Sequence, residues 1–166
     1  MDFEKAAGTR LKKFGEAVRT CLKKYTDDRG RARRSEYWYF VLLNALVLLT
    51  ILVVCGIVIG VAYLLASSEM MYDDTVVEAA FTVGAVVYVL YALAVAVPFL
   101  AVSVRRLHDL NASGCYLLVF FLVGLIPYIG IISAIAQIII FAQQGTEGEN
   151  KYGPDPLQVD SPSPAL

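Results

Sequence analysis

Residues 37–66 read YWYFVLLNALVLLTILVVCGIVIGVAYLLA, a run of 30 residues without Asp, Glu, Lys or Arg. A helix that crosses the hydrocarbon core of a bilayer needs about 20 apolar residues. Residues 79–104 and 115–142 also lack all four charged types, over 26 and 28 residues. Buried helices of soluble proteins rarely contain apolar runs longer than about 14 residues. We therefore expect an all-α integral membrane protein with three transmembrane helices at these positions.

The composition of the whole chain agrees with a lipid environment. Hydrophobic residues make up 58% and charged residues 17% of the 166 residues, whereas soluble domains carry about 25% charged residues. The cysteine count is odd, with Cys21, Cys55 and Cys115, and no CxxC pair occurs. We therefore expect neither a disulfide framework nor a metal site, and no cofactor.

Basic residues are unevenly distributed among the segments that separate the apolar stretches. Residues 1–36 hold 11 of the 14 Lys and Arg, residues 67–78 hold none, residues 105–114 hold two and residues 143–166 hold one. Lys and Arg favour the cytoplasmic side of a membrane. This pattern predicts a multi-pass protein of a bacterial inner membrane, with a cytoplasmic N-terminus, an outer first loop and a cytoplasmic second loop.

The third apolar stretch has two interpretations, because Pro127 and Gly130 lie in its middle. A proline removes one helical hydrogen bond and clashes with the preceding turn. The stretch is either a single span kinked at Pro127 or a re-entrant hairpin with its tip near Tyr128, whose arms of about 12 residues are too short to cross. We favour the kinked span, since membrane helices tolerate one proline. The hairpin would return residues 143–166 to the cytoplasm.

The chain divides into three segments. Residues 1–36 form a basic cytoplasmic segment, residues 37–142 the membrane domain, and residues 143–166 a tail rich in turn formers that is expected to be disordered beyond Pro156. The first segment contains an apolar stripe with helical spacing: Ala7, Leu11, Phe14, Val18, Cys21 and Tyr25. This amphipathic helix could lie in the membrane interface, pack on its own protein or pair with a partner helix. The interface is favoured, since basic residues flank the stripe.

The basic stretch before the first span is a candidate headgroup contact. Arg31 and Arg34 carry guanidinium groups, which bind phosphate in a forked geometry. The simpler interpretation is an anchor that fixes orientation. Trp38 lies where an aromatic belt is expected. Glu36 requires a partner at the head of a span, although a first-turn acid also suits the helix dipole.

The second loop contains the only histidine, His108, next to Asp109. Adjacent residues do not face each other on a helix, so these two do not form a dyad. Arg105 and Asp109 are four apart and could form a helical ion pair. We interpret the loop as structural, with Asn111 or Gly114 making the turn. The alternative is a proton-shuttling His108.

Catalytic motifs are missing from the sequence. No GxSxG, HExxH, P-loop or GxGxxG pattern occurs, and the three apolar stretches contain no ionisable Asp, Glu, Lys or Arg for coupled transport. Asn44, the clearest strong polar group within a span, could form an interhelical hydrogen bond. No catalytic residue is therefore expected.

Four blocks together resemble the YhaH-type (DUF805) family of small bacterial inner-membrane proteins. Residues 30–38 match its Gly-Arg-x-x-Arg-x-Glu-Tyr-Trp block, 105–109 its Arg-Arg-Leu-His-Asp block, 126–130 its Ile-Pro-x-Ile-Gly turn, and 145–156 its Gly-Thr-x-Gly-x-Asn-x-Tyr-Gly-Pro-Asp-Pro block. The chain departs from the family where two tryptophans are usual, at residues 115 and 116, and has Asn111 where Gly is frequent. Asn tolerates the left-handed conformation. The resemblance implies an inner-membrane helical protein and no particular activity.

These observations predict a non-enzymatic membrane protein that acts through helix packing and through contacts of a cytoplasmic polar surface. Its expected partners are the lipid bilayer with its anionic headgroups and a second copy or another membrane protein, with no nucleic acid. The alternatives are an oligomeric transporter or channel subunit and, less favoured, a headgroup-modifying enzyme using His108. The predicted surface consists of Arg31, Arg34, Glu36, Trp38, Arg105, Arg106, His108 and Asp109.

Overall fold

The computed structural model describes residues 2–66 and 74–158. These residues form helices and turns, with a single isolated bridge between Asn150 and Gly153 and no strand among the described residues. The helices are α1 (Asp2–Lys23), α2 (Arg34–Ala66), α3 (Asp74–Asp109), α4 (Tyr116–Gly124) and α5 (Ile129–Ala142). The all-helical expectation is confirmed for this part of the chain. Of the tail beyond Pro156, which was predicted to be disordered, residues 157–158 form a turn and the remainder lies outside the described residues.

Among the described residues, two helices are long and apolar enough to cross a membrane. They include Arg34–Val61 of α2 and Val77–Asp109 of α3. Both long helices were predicted, but both extend beyond the apolar stretches into charged sequence. Glu36 therefore lies in the first turn of α2, and Arg106 lies in the last turn of α3. The helix dipole favours an acidic residue at the N-terminus of a helix and a basic residue at its C-terminus.

The chain falls into two compact units, residues 1–40 with 97–166 and residues 41–96. Within the second unit, the hydroxyl group of Tyr91 donates a 2.9 Å hydrogen bond to Asn44 Oδ1. The expected interhelical hydrogen bond of Asn44 is thus confirmed. Gly84 lies so close to Cys55 that a Cβ there would be 2.6 Å from the sulfur, so a larger residue would require the Cys55 side chain to shift.

The third apolar stretch is a helical hairpin, and the favoured single kinked span is wrong. Helices α4 and α5 pack against each other, with Ser133 Oγ 3.4 Å from the carbonyl oxygen of Phe120. The reversal falls on Pro127 and Tyr128, and Tyr128 has φ 64°. The arms have 9 and 14 residues, or about 14 and 21 Å, against about 30 Å of hydrocarbon.

The predicted amphipathic helix is present as α1, and its C-terminal part packs on the start of α2. Phe14 meets Tyr39 edge to face with ring centroids 5.7 Å apart, and Cys21 is completely buried. Leu11, one turn before Phe14, is 70% exposed. The alternative of packing on its own protein therefore holds for this end of the stripe, while the favoured interfacial location stays a prediction for the rest.

Candidate functional site

The three polar blocks that stand out in the sequence meet in the unit formed by residues 1–40 and 97–166. The backbone N–H of Ala32 donates to the carbonyl oxygen of Arg105 at 3.0 Å, and the N–H of Thr146 donates to that of Asp109 at 2.8 Å. We call the assembly of residues 30–36, 105–111 and 145–156 the polar base.

Asp109 is the centre of the polar base. One carboxylate oxygen accepts from Arg31 Nε at 2.9 Å, and the other accepts from Arg106, three residues earlier on α3. The Arg106 side chain is completely buried, and those of Arg31 and Asp109 are nearly so. Removing charges from water is costly unless they are paired and hydrogen-bonded, and here one buried carboxylate serves two guanidinium groups.

The remaining N–H groups of Arg31 bind the tail. Nη1 donates to the carbonyl oxygen of Gly148 at 2.5 Å, and Nη2 donates to that of Thr146. The neighbouring Arg33 donates from Nε to the carbonyl oxygen of Pro156 at 2.7 Å. Planar guanidinium groups have five donors in a fixed fork, and these two hold both ends of the tail block.

Arginines also bind the carbonyl groups at the end of α5. Arg106 Nε donates to Phe141 at 3.1 Å, another Arg106 nitrogen donates to Gln143, and Arg34 Nη1 donates to Ala142 at 3.3 Å. The last carbonyl groups of a helix lack helical partners and carry partial negative charge. The polar base therefore caps the returning arm of the hairpin.

A second buried ion pair joins Arg105 to Glu36 at 2.5 Å. Cys21 Sγ lies 3.8 Å from the same carboxylate oxygen. Burial, followed by the negative charge of Glu36, raises the pKa of the Cys21 thiol to about 12. The expected pairing of Arg105 with Asp109 is wrong, because Arg105 binds Glu36 and Arg106 takes its place at Asp109. Glu36 has the partner that its position required.

His108 fastens the turn after α1 to the tail. Its Nδ1 lies 3.2 Å from the carbonyl oxygen of Gly30, and its ring stacks on Tyr152 with centroids 3.8 Å apart. Asn150 donates to the His108 carbonyl oxygen at 3.0 Å. Asp109 directs its carboxylate to two arginines instead, so the adjacent pair is not a dyad, as the sequence predicted.

The eight predicted surface residues lie close together, but half of them are not on a surface. Arg31, Arg105, Arg106 and Asp109 are buried; Glu36, Trp38 and His108 are half-buried; Arg34 is exposed. The four buried side chains therefore hold the polar base together. The other four members, Arg34, Glu36, Trp38 and His108, retain some exposure, and Glu36 is already paired with Arg105.

Sequence reasoning missed the carbonyl groups and small residues of the tail as partners. Gly145 approaches Asp109 so closely that any Cβ there would overlap the carboxylate. Asp155 accepts from the backbone N–H of Leu157 at 2.8 Å and of Gly148 at 3.1 Å. These bonds and nearby arginines lower the pKa of Asp155. The only available signal was the density of Gly, Asn, Asp and Pro in 145–156.

A cavity of about 300 Å³ lies against the polar base, lined in part by Arg31, Arg33, Arg34, Asp109 and Asp155. Most guanidinium donors there already bind carbonyl groups or carboxylates. No cluster of three or more metal-ligating side chains occurs within residues 2–66 and 74–158. We therefore interpret the residues around this cavity as stabilising the fold, and we assign them no catalytic role.

Comparison with known proteins identifies a family and two inner-membrane relatives. A family model described as "Protein of unknown function (DUF805)" matches residues 25–154. The chain is 38% identical over 135 residues to "Inner membrane protein YhaI" of Escherichia coli strain K12, covering 81% of this chain and 90% of that protein. It is also 38% identical over 136 residues to "Inner membrane protein YhaH" of the same strain, covering 81% and 91%. No solved structure matches the chain.

Proposed function

The chain belongs to the DUF805 family, and from this membership we propose that it is a multi-pass inner-membrane protein that works by contact with lipid and protein partners. In this proposal α2 and α3 cross the bilayer, and the hairpin of α4 and α5 enters and leaves on the cytoplasmic side. The polar base and α1 lie in the cytoplasm.

The hydrogen bonds of the tail support this topology. Arg31 belongs to the segment with 11 of the 14 basic residues, which favours the cytoplasm. Thr146 and Gly148 bind Arg31 directly, which supports a tail block on the same side of the bilayer as that arginine. A hairpin satisfies this constraint, whereas a third crossing would separate the partners.

The exposure of the hairpin supports its location in lipid. Helix α4 consists almost entirely of apolar residues, and none of its residues is buried. On α5, Ile131 and Ile132 are each about two-thirds exposed. Contiguous apolar surface of this kind is rare on soluble monomers.

The hydrogen bonding of Arg31 and Arg106, whose buried guanidinium groups are bound to Asp109 and to backbone carbonyl groups, is the observation that carries the proposal of contact without catalysis. Asp109 accepts from both Arg31 and Arg106, and both arginines also donate to backbone carbonyl groups, so these polar atoms stabilise the base and are already engaged where a substrate would have to bind. The accessible Arg34 and the half-buried Trp38 lie at the head of α2, where a cation and an indole suit the headgroup region.

Lipid-dependent stability tests this proposal. The full-length protein would be placed in nanodiscs of phosphatidylglycerol, which is anionic, or phosphatidylcholine, which is zwitterionic, and the Tm measured in each. We expect a higher Tm in the anionic lipid and a smaller difference in Arg34→Gln. Arg34→Lys is the matched control and should keep most of the difference, because it keeps the charge. Equal Tm values of the wild type in both lipids would contradict headgroup contact.

A further inference from the structure

A separate cavity of about 420 Å³ lies where the turn after α3 meets the hairpin. It has a polar and an apolar part. Asn111 and Ser113, in the turn between α3 and α4, contribute polar groups. Phe120 of α4 and Ile140 of α5 contribute apolar surface. The lining thus changes character between the turn and the hairpin arms, as the headgroup and tail of a lipid do.

Among the described residues that line the cavity, the only basic one is Lys151 of the tail. Asn150 fixes its location by donating to the carbonyl oxygen of His108 and to Thr146 Oγ1 at 2.8 Å. The chain then reverses through the Asn150–Gly153 bridge. Lys151 is exposed, and its Nζ lies 4.9 Å from the ring centroid of Tyr152. It is also the only Lys or Arg after Arg106 in the sequence.

The charge of the lining favours an anion. None of the described residues that line the cavity is acidic, although Glu149 is exposed nearby in the chain. An ammonium group binds phosphate as a compact point charge, and exposed amide and hydroxyl groups provide further donors. Tyr116, also in the lining, has the amphipathic ring typical of the membrane interface.

We propose that this cavity binds one anionic phospholipid. The phosphate contacts Lys151 and the polar groups of Asn111 and Ser113, and the acyl chains run along the hairpin past Phe120 and Ile140. Because the lining has one cation and no acid, it favours a headgroup without a compensating ammonium. This site rests on the proposed function, which places the hairpin in the bilayer.

Native mass spectrometry of the full-length protein, titrated in detergent with phosphatidylglycerol, tests the site. We expect one tightly retained lipid, with the affinity for it lowered roughly tenfold in Lys151→Gln, since charge-assisted contacts of this kind exceed about 1.4 kcal/mol. Lys23→Gln is the matched control, because Lys23 is exposed at the end of α1 and outside the lining; it should leave the affinity unchanged. Equal retention by wild type and Lys151→Gln would overturn the site.

Two further arms separate the lipid from other ligands. Ala112→Phe, which adds bulk to the lining, should abolish retention while Lys151 remains; undiminished retention would overturn the location. Inorganic phosphate at a concentration equal to that of the lipid should not displace it, because phosphate lacks acyl chains; displacement would overturn the lipid assignment. Loss of lipid retention in the mass spectra tests this site alone. The proposed function is tested by a different measurement, the lipid dependence of Tm and its change in Arg34→Gln.

Discussion

Arg31 Nε lies 2.9 Å from Asp109 Oδ1 across 78 positions of sequence. This buried pair joins the segment before α2 to the last residue of α3, and it also fixes the arginine that holds the tail. Several features of the polar base therefore depend on one carboxylate.

Asp109→Asn should be strongly destabilising, since it leaves Arg31 and Arg106 buried without a counter-charge. Removing one partner of a buried pair costs about 3–5 kcal/mol, so a clear fall in Tm is expected in thermal unfolding of the detergent-solubilised protein. Glu149→Gln is the control, because it removes an exposed carboxylate from the same region. Similar Tm values for the two variants would contradict a central role for Asp109.

Gly145→Ala should release the tail, because the added Cβ would overlap the Asp109 carboxylate. Hydrogen–deuterium exchange is expected to accelerate at Thr146 and Gly148, because their backbone N–H groups donate to Asp109 and Asp155 while the tail is in place. Gly15→Ala is the control, since a Cβ there meets nothing within 4 Å. Unchanged exchange in Gly145→Ala would show that Asp109 can move aside at little cost.

Gly130→Ala should disturb the hairpin turn, because a Cβ at this position would lie 2.5 Å from the carbonyl oxygen of Gly124. A backbone oxygen cannot move without shifting α4, so a lower Tm is expected. The matched substitution Gly124→Ala meets nothing within 4 Å and should be nearly neutral. If both variants melt alike, close approach of the two arms is not required.

Cysteine labelling tests on which side of the membrane the tail lies. In a background with the three native cysteines replaced, Glu149→Cys should resist a membrane-impermeant reagent in intact cells and react after lysis. Glu69→Cys, in the predicted outer loop, is the control that should react in intact cells. Labelling of Glu149→Cys from outside would exclude the hairpin topology.

Cys21 should resist alkylation at pH 8, because its thiol is buried and its raised pKa of about 12 keeps it protonated. The exposed Cys115 provides the internal comparison by mass spectrometry. A raised pKa stabilises the folded state below the ordinary thiol pKa of 9.0 and loses this effect as pH rises from there towards 12. Stability should therefore decline above about pH 9, and less so in Cys21→Ala.

Local patterns in the sequence were sufficient for the helical architecture. Charge-free runs identified α2 and α3, and the stripe through Phe14 and Cys21 identified α1. Asn111 adopts φ 58°, as expected for a residue that replaces glycine in a turn. These features depend on residues a few positions apart, where spacing is informative.

Long-range partners were not predictable from spacing. Arg105 and Arg106 are adjacent, and a helix allows either to approach Asp109, so the choice depended on where Glu36 would lie. Pro127 permits both a kink and a reversal. The reversal is associated with the positive φ of Tyr128 and with the close approach of Gly124 and Gly130. The spacing of apolar residues in the sequence predicts neither feature.

The hydrogen bond between Arg31 and Gly148 can form only after both residues have been synthesised. The two residues are 117 positions apart, and translation at about 5–20 residues per second separates their synthesis by roughly 6–23 seconds. During this interval the Arg31 guanidinium lacks its partners in the tail, and a charge without partners favours water over a bilayer. A chain that ends before the tail block lacks the carbonyl groups of Thr146 and Gly148, so Arg31 acquires its full set of hydrogen bonds only once that block has been made.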